Sequence, residues 1–206
     1  MQITMPEWLT RAELDPASID TKNRRVKVTW STGATVRRDG EMLGQPYYEE
    51  LDMSPGAVRM GRLQSGTCPV TRGHESDLGG VIGVVESASL DNGIGEAWLR
   101  FSRRAEVDPI WQDVQDKILR NVSLGAVPFK AKVVGTHADG LKIIRLTDWE
   151  PRAIGVVPLG ADPGAVIRGA GQTVCELEDP QEQPASRPGP AVRLLRLALE
   201  ITQETL

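Results

Sequence analysis

The sequence predicts an α+β fold that is mainly β: a small β-barrel with flanking helices, followed by a C-terminal helical tail. Short apolar segments with the spacing of strands recur through the first 170 residues. One clear amphipathic helix interrupts them. A length of 206 residues with 40% hydrophobic residues allows a compact domain with a real core.

Three strands are predicted ahead of the helix. In residues 26–31 (VKVTWS), apolar side chains alternate with polar ones, as expected of a half-buried strand. Residues 81–85 (VIGVV) form a more fully buried run. Residues 96–101 (EAWLRF) place their apolar side chains on one face, which again indicates a strand.

The predicted helix covers residues 107–122 (VDPIWQDVQDKILRNV). Asp108 can cap its N-terminus, and Pro109 suits its first turn. Apolar side chains recur at four-residue steps from Ile110 to Ile118, which predicts one buried stripe.

Two further strands are predicted at residues 122–134 and 141–149, with Pro128 expected to bend or break the first. The sequence HADG joins them, and its Asp-Gly pair is a hairpin signal. A last apolar run, AIGVVPL at residues 153–159, ends in the turn-rich sequence GADPGA.

Four parts are predicted along the chain: an N-terminal extension (1–25), a main domain (26–170), a Pro-rich linker (171–190) and an amphipathic helix (191–206). The sequence ELEDPQEQPASRPGP carries four prolines and no large apolar residue after its leucine, which is typical of a disordered or extended linker. An isolated helix as short as AVRLLRLALEITQETL is marginal in water. We therefore expect it to dock, either on its own domain or on a partner.

Composition narrows the class of protein. The formal net charge of −4 argues against bulk attraction to nucleic acid or to an anionic membrane. No apolar run reaches the roughly 18 residues of a membrane-spanning helix, and MQITMPEWLTRAELD lacks the layout of a signal peptide. Cys68 and Cys175 provide neither a disulfide framework nor a zinc set. We expect a soluble, intracellular protein with no cofactor and no metal.

One histidine and one serine are candidates for catalysis. His74 lies at a polar junction before a predicted buried strand, where its ring can face a cleft. His137 lies in the HADG turn, where an exposed polar residue needs no function. Ser123 lies in RNVSLGAVPF, and Gly125 on the same side of that strand clears space for an incoming carbonyl. A serine needs a base to become a nucleophile, and from position alone a structural role is the commoner case for either residue.

Motifs of several other enzyme classes are missing. The sequence contains no G-x-S-x-G elbow, no P-loop, no G-x-G-x-x-G and no H-E-x-x-H. A zinc hydrolase built on His74 and nearby acids is also poorly supported, because no second histidine lies at ligand spacing.

Four blocks follow one another along the chain: YYEELDMSPGAVRMGRLQSGTCPVTRGH, GGVIGVVESASLDNGIGEAWLRFS, DPIWQDVQDKILRNVSLGA and DWEPRAIGVVPLGADPGA. From about Val26 to about Arg168, their order and spacing resemble the prohead (head maturation) proteases of tailed bacteriophages. That family is similar in fold to the herpesvirus assemblins, which are β-barrel serine proteases with a helical surround. The resemblance implies that residues 26–170 are a serine protease domain, with His74 and Ser123 as the catalytic pair.

The last block departs from the family pattern at the position of an acid. Relatives usually read W-E-P-x-E-I-S-L-V-P, whereas Ala153 and Gly155 stand here in place of the acid and the serine. If that acid orients the histidine, another group must do so here. Glu150 is our candidate, with Asp148 as its substitute. The acids of the segment HESD, a dyad without an acid, and an inactive relative remain alternatives.

The resemblance implies a serine endopeptidase, a hydrolase in which His74 takes the proton of Ser123 and Ser123 Oγ attacks a peptide carbonyl. Its substrates would be phage scaffold and major capsid proteins during head maturation and virion morphogenesis, with self-cleavage. The location would be the host cytoplasm, inside the assembling procapsid. A homodimer is left open because the related herpesvirus enzymes depend on dimers, and neither nucleic acid nor a membrane is an expected partner.

The alternative function belongs to a different class. It is a catalytically inactive structural or scaffolding relative of the protease, and the loss of the acid at Ala153 motivates it.

Overall fold

The computed structural model describes residues 2–6, 8–39, 44–75, 77–158 and 172–178. Strands dominate these residues, which confirms the mainly β, α+β class. No helix among them is long and apolar enough to cross a membrane.

The helices are α1 (Gly61–Gln64) and α2 (Asp108–Gln115), with a 3-10 turn at Ala105–Val107. The strands are β1 (Gln2–Pro6), β2 (Trp8–Asp20), β3 (Arg25–Ser31), β4 (Val36–Arg38), β5 (Tyr47–Leu51), β6 (Pro69–Arg72), β7 (Val81–Asp91), β8 (Ile94–Phe101), β9 (Asn121–Thr136), β10 (Lys142–Val157) and β11 (Gln172–Glu178).

Within the described ranges, all eleven strands belong to one sheet in the order β1-β11-β9-β2-β3-β8-β7-β6-β10-β5-β4. Strand β9 also pairs with β10. A path that starts at β9 and passes from each strand to its paired neighbour therefore comes back to β9. Its strands are β9, β2, β3, β8, β7, β6 and β10. Neighbours are mostly antiparallel, with parallel pairs where β10 meets β5 and β6 and where β11 meets β9.

The predicted hairpin is present and is longer than expected. The HADG turn closes it, with the His137 amide donating to the Leu141 carbonyl at 2.8 Å. Pro128 does not break β9, and residues 153–157 are not a separate run but the second half of β10. The ladder shifts register beside Pro128 and Pro151, and such irregularities let a strand carry a residue that has no amide donor.

The predicted helix is present but much shorter than residues 107–122. Helix α2 ends at Gln115, and Lys117 beyond it has a positive φ of 62°. Ile118 is 68% exposed, so the apolar stripe stops before it. Asp108 is not the cap: it is the first helical residue, and its carboxylate binds Arg24 at 2.5 Å.

The core is built from the strands that the apolar spacing predicted, since residues 26–31, 81–85 and 96–101 all lie within strands. Trp30 and Trp149 meet edge to face, with ring centroids 6.3 Å apart. Both indoles are fully buried and donate to backbone carbonyls at 3.0 Å. Two large aromatic rings are thus buried without an unpaired donor.

The edge of the sheet contains a buried ion pair. Arg38 of β4 binds Glu49 of β5 at 2.7 Å, and the Glu49 side chain is 1% exposed. Burial raises the pKa of Glu49, and the adjacent Arg38 opposes that rise. A carboxylate buried in this way requires its cation, so the pair ties β4 to β5.

The sheet includes strands from outside residues 26–170. Strands β1 and β2 come from the predicted extension, and β11 lies within the predicted linker of residues 171–190. All three pair with the remainder of the sheet. The helix predicted for residues 191–206 lies outside the described residues, and the four-part division stays a prediction.

Gly95 provides a test of core packing. A Cβ on Gly95 would lie 2.3 Å from ring carbons of Trp30. Because Trp30 is fully enclosed, Gly95→Ala should lower the free energy of unfolding by about 1–3 kcal/mol in urea titrations. Gly135→Ala, in β9, meets nothing within 4 Å and should change it by less than about 0.5 kcal/mol. Equal losses in the two variants would contradict this description of the core.

Candidate functional site

Ser123 lies in β9 between two neighbouring strands. It is opposite Arg11 of β2 on one side and opposite Gly155 of β10 on the other. Ser123 is only 1% exposed, and its Oγ has no hydrogen-bond partner among the described residues. Gly125, which was expected to open space beside it, is buried as well. The serine therefore lies in a closed part of the sheet.

His74 follows β6 in a turn that is bound to the same stretch of β10. The Gly73 amide donates to the Val156 carbonyl at 2.8 Å, and the Thr71 hydroxyl donates to the Gly73 carbonyl at 3.0 Å. Gly155, opposite Ser123, is also paired with Thr71. The fold thus places the His74 turn and Ser123 on opposite edges of one segment of β10.

Gly155 has a structural reason to lack a side chain. A Cβ at this position would lie 2.0 Å from the Gly73 carbonyl oxygen. No side chain fits without moving the turn that carries His74. The departure from the family pattern at Gly155 therefore follows from the close approach of β10 and this turn.

Neither candidate acid contacts the histidine. Asp148 binds Arg59 through both carboxylate oxygens, at 2.6 and 2.7 Å. Glu150 binds Arg62 of α1 at 3.4 Å. In the described part of the chain, the His74 ring has neither a hydrogen bond nor an ion pair. Each acid thus binds an arginine from the segment before β6. The acid and its arginine are about 90 residues apart in sequence.

Among the described residues, neither Glu75 nor Asp77 makes a hydrogen bond or an ion pair with the His74 ring. The Asp77 carboxylate accepts the Gly80 amide at 2.6 Å and so stabilises its own turn. The Glu75 backbone amide donates to the Arg72 carbonyl.

The electrostatics of the region favour neutral groups. Burial lowers the pKa of His74, because a charged imidazolium loses hydration there. Burial also raises the pKa of the Cys68 thiol, at the other end of β6, to about 12, which keeps it protonated. Among the described residues, no three His, Cys, Asp or Glu side chains are grouped so as to hold a metal ion.

Comparison with known proteins relates the chain to a phage head. No protein-family profile matches the chain, and no solved structure matches it. A segment of 116 residues, 56% of the chain, is 39% identical to the major capsid protein of Halomonas phage phiHAP-1. That segment is 19% of the capsid protein, so the chain spans about a fifth of the relative that it matches.

This similarity corrects the predicted activity. The prediction of a serine endopeptidase is wrong by this comparison, because the relative is a major capsid protein. The phage-head setting of the resemblance is supported, and the alternative, a structural relative, fits better. The catalytic roles assigned to His74, Ser123, Glu150 and Asp148 were not tested by it and stay predictions of the sequence.

The Ser123 hydroxyl has no hydrogen-bond partner in the described ranges, so its removal is predicted to stabilise the protein. A buried hydroxyl without a partner costs free energy, so Ser123→Ala should raise the free energy of unfolding by about 1 kcal/mol. Ser31 is a matched control, because it is also buried in a strand but accepts the Gly33 amide at 3.1 Å. Ser31→Ala should lower the same quantity by about 1 kcal/mol. A loss in both variants, measured by urea unfolding, would mean that Ser123 has a partner.

Burial of His74 predicts a pH dependence of stability. Because its pKa in the folded protein lies below the ordinary value of 6.5, the unfolded chain binds a proton first as the pH falls. The free energy of unfolding should therefore decrease as the pH falls below about 6.5, until the folded pKa is passed. His74→Gln should remove this component. Urea unfolding of both proteins at about pH 7.5 and about pH 5 measures it, and identical pH dependence would refute it.

Proposed function

We propose that this chain is a structural, non-catalytic protein of phage head assembly. The observation that carries the proposal is the 39% identity over 116 residues with a phage major capsid protein. The capsid protein of the same phage is then the natural partner, and the procapsid or capsid is the location. A scaffold partner and a homodimer stay predictions of the sequence resemblance.

The geometry around Ser123 supports a structural role. A nucleophile must reach the substrate carbonyl, yet this hydroxyl is 1% exposed. The base proposed for it, His74, has no carboxylate partner among the described residues. Asp148 and Glu150 are bound to Arg59 and Arg62. Their ion pairs join β10 to the segment that carries α1, which is a structural use of both acids.

The strand pairing also supports a structural role for this chain, as a rigid module. We propose that β9, β2, β3, β8, β7, β6 and β10 form a small barrel, because the path of pairings closes on β9. Closure pairs these seven strands with one another and leaves β1 and β4 at the ends of the sheet. Fewer free edges reduce uncontrolled pairing between chains. A module of this kind suits a protein that assembles at high local concentration. A herpesvirus-protease-like arrangement remains a prediction.

A chimaera tests the proposed equivalence with the capsid protein. The matched segment of the phiHAP-1 capsid protein is replaced by the corresponding residues of this chain, and particles are measured by sedimentation and electron microscopy. If the two segments are equivalent structural modules, the chimaera should form heads, whereas deletion of the segment should abolish them. A chimaera that fails as completely as the deletion would contradict the proposal.

The non-catalytic part of the proposal is tested on the same particles. Chimaeras that carry Ser123→Ala or His74→Gln should assemble and should give the same polypeptide pattern on a gel as the unmodified chimaera. A cleavage product that forms with Ser123 and is missing with Ser123→Ala would overturn the assignment.

A further inference from the structure

The sheet face formed by β3, β8 and β7, on the side away from the core, contains a groove with a volume of about 960 Å³. Arg25, Arg100 and Val84 lie in one row across it, because Arg100 is opposite both of the others. Asn23, just before β3, and residues 102–104, just after β8, form its walls. The groove is distinct from the region of Ser123, which lies in β9.

Among the charged side chains that line this groove, the positive ones outnumber the negative. It contains Arg25, Arg100, Arg103 and Arg104 and a single acid, Glu86. Glu86 is shared by Arg25 at 3.3 Å and Arg100 at 3.2 Å. Arg103 donates to a backbone carbonyl instead of a carboxylate. Exposed ion pairs contribute little free energy, so an incoming carboxylate can replace them.

Two further carboxylates, which do not line the groove themselves, pair with its arginines. Asp20 binds Arg25 at 3.0 Å, and Glu106 binds Arg104 at 3.5 Å. Even with both counted, four cations face three anions. The whole chain has a net charge of −4, so the groove is a local reversal of its charge.

An apolar side chain stands beside the arginines. Leu78 lines the groove and is 90% exposed. Its turn is fixed by the Gly80 amide, which donates to Asp77, and by the Arg72 amide, which donates to the Gly80 carbonyl at 2.7 Å. A leucine held in solvent by an ordered turn gains from contact with another apolar group.

We propose that this groove binds an acidic peptide segment of a partner protein, with carboxylates on the arginines and an apolar side chain against Leu78. Guanidinium groups bind carboxylates through paired hydrogen bonds, which favours acidic side chains over other polar ones. A nucleic acid would meet the repulsion of a chain with net charge −4 and would gain nothing from Leu78. The proposed peptide binding does not rest on the role proposed above for this chain in phage head assembly.

Fluorescence anisotropy with the full chain tests the proposal. The probe is a short labelled peptide with glutamates on both sides of a central leucine pair. Binding should be saturable and should weaken as salt is added. Arg100→Gln and Arg103→Gln should each weaken it about fivefold, and Glu86→Gln should strengthen it, because it removes the acid of the lining.

Arg145 supplies the matched control. It is a strand arginine paired with one glutamate, Glu50, and its side chain is 45% exposed against 51% for Arg100, but it lies outside the groove. Arg145→Gln should leave binding unchanged. Circular dichroism establishes that each variant is folded. Unchanged binding in both Arg100→Gln and Arg103→Gln, or an equal loss in Arg145→Gln, would overturn the proposal.

Two further measurements test the class of ligand. Leu78→Ser should weaken binding of the leucine peptide but not of a peptide in which glycines replace the leucines; an equal effect on both would refute the apolar contact. An oligothymidylate of equal charge should bind more weakly than the peptide. Tighter binding of the oligonucleotide, sensitive to Arg100→Gln, would assign the groove to nucleic acid and overturn the peptide proposal.

Discussion

The antiparallel pairing of β9 with β10 is the constraint on which the rest of the structure depends. On its other edge, β9 carries β2 and β11, and β10 carries β6 and β5. Strand β1 joins through β11 and β4 through β5, while β3, β8 and β7 complete the path between β2 and β6. Loss of register in this hairpin would therefore disturb every other pairing, since a one-residue slip turns each side chain to the opposite face.

The same hairpin explains why the region of Ser123 is closed. Gly155 of β10 allows the turn before His74 to approach the strand, and Ser123 is buried on the other side of it. Close approach of three backbones leaves little room for a substrate. Packing of this kind favours stability over access, in agreement with similarity to a structural protein of the phage head.

Charged residues contribute mainly by connecting distant segments. Asp148 and Glu150 join β10 to residues near α1, and Arg38 and Glu49 join β4 to β5. The four arginines of the groove beside β3 and β8 differ, because only three carboxylates pair with them and these carboxylates are partly exposed. Charge in this protein thus has two uses, internal connection and an exposed cationic face.

Periodicity predicted the strands that form the core, because alternation of apolar residues is a local property and burial of one face requires it. It also located the HADG hairpin, since Asp-Gly fits the backbone of a tight turn. The length of the helix was overestimated because an apolar residue such as Ile118 can continue a stripe in sequence and still be exposed. The prediction of a serine endopeptidase was wrong. It rested on a resemblance of sequence blocks, and such a resemblance determines neither the exposure of a serine nor the partner of a histidine.

By itself, the sequence determined the mainly β class, the positions of core strands along the chain and the hairpin, all of which depend on neighbouring residues. Only the tertiary structure decided that β9 and β10 run on past their prolines and that Asp148 and Glu150 bind arginines and not His74. It also decided that Ser123 is buried with no hydrogen-bond partner among the residues that the structure describes. The physical reason is that these outcomes depend on contacts between separate segments of the chain, about 90 residues apart for the two acids and their arginines. The free energy of such contacts is set by geometry that no local pattern contains.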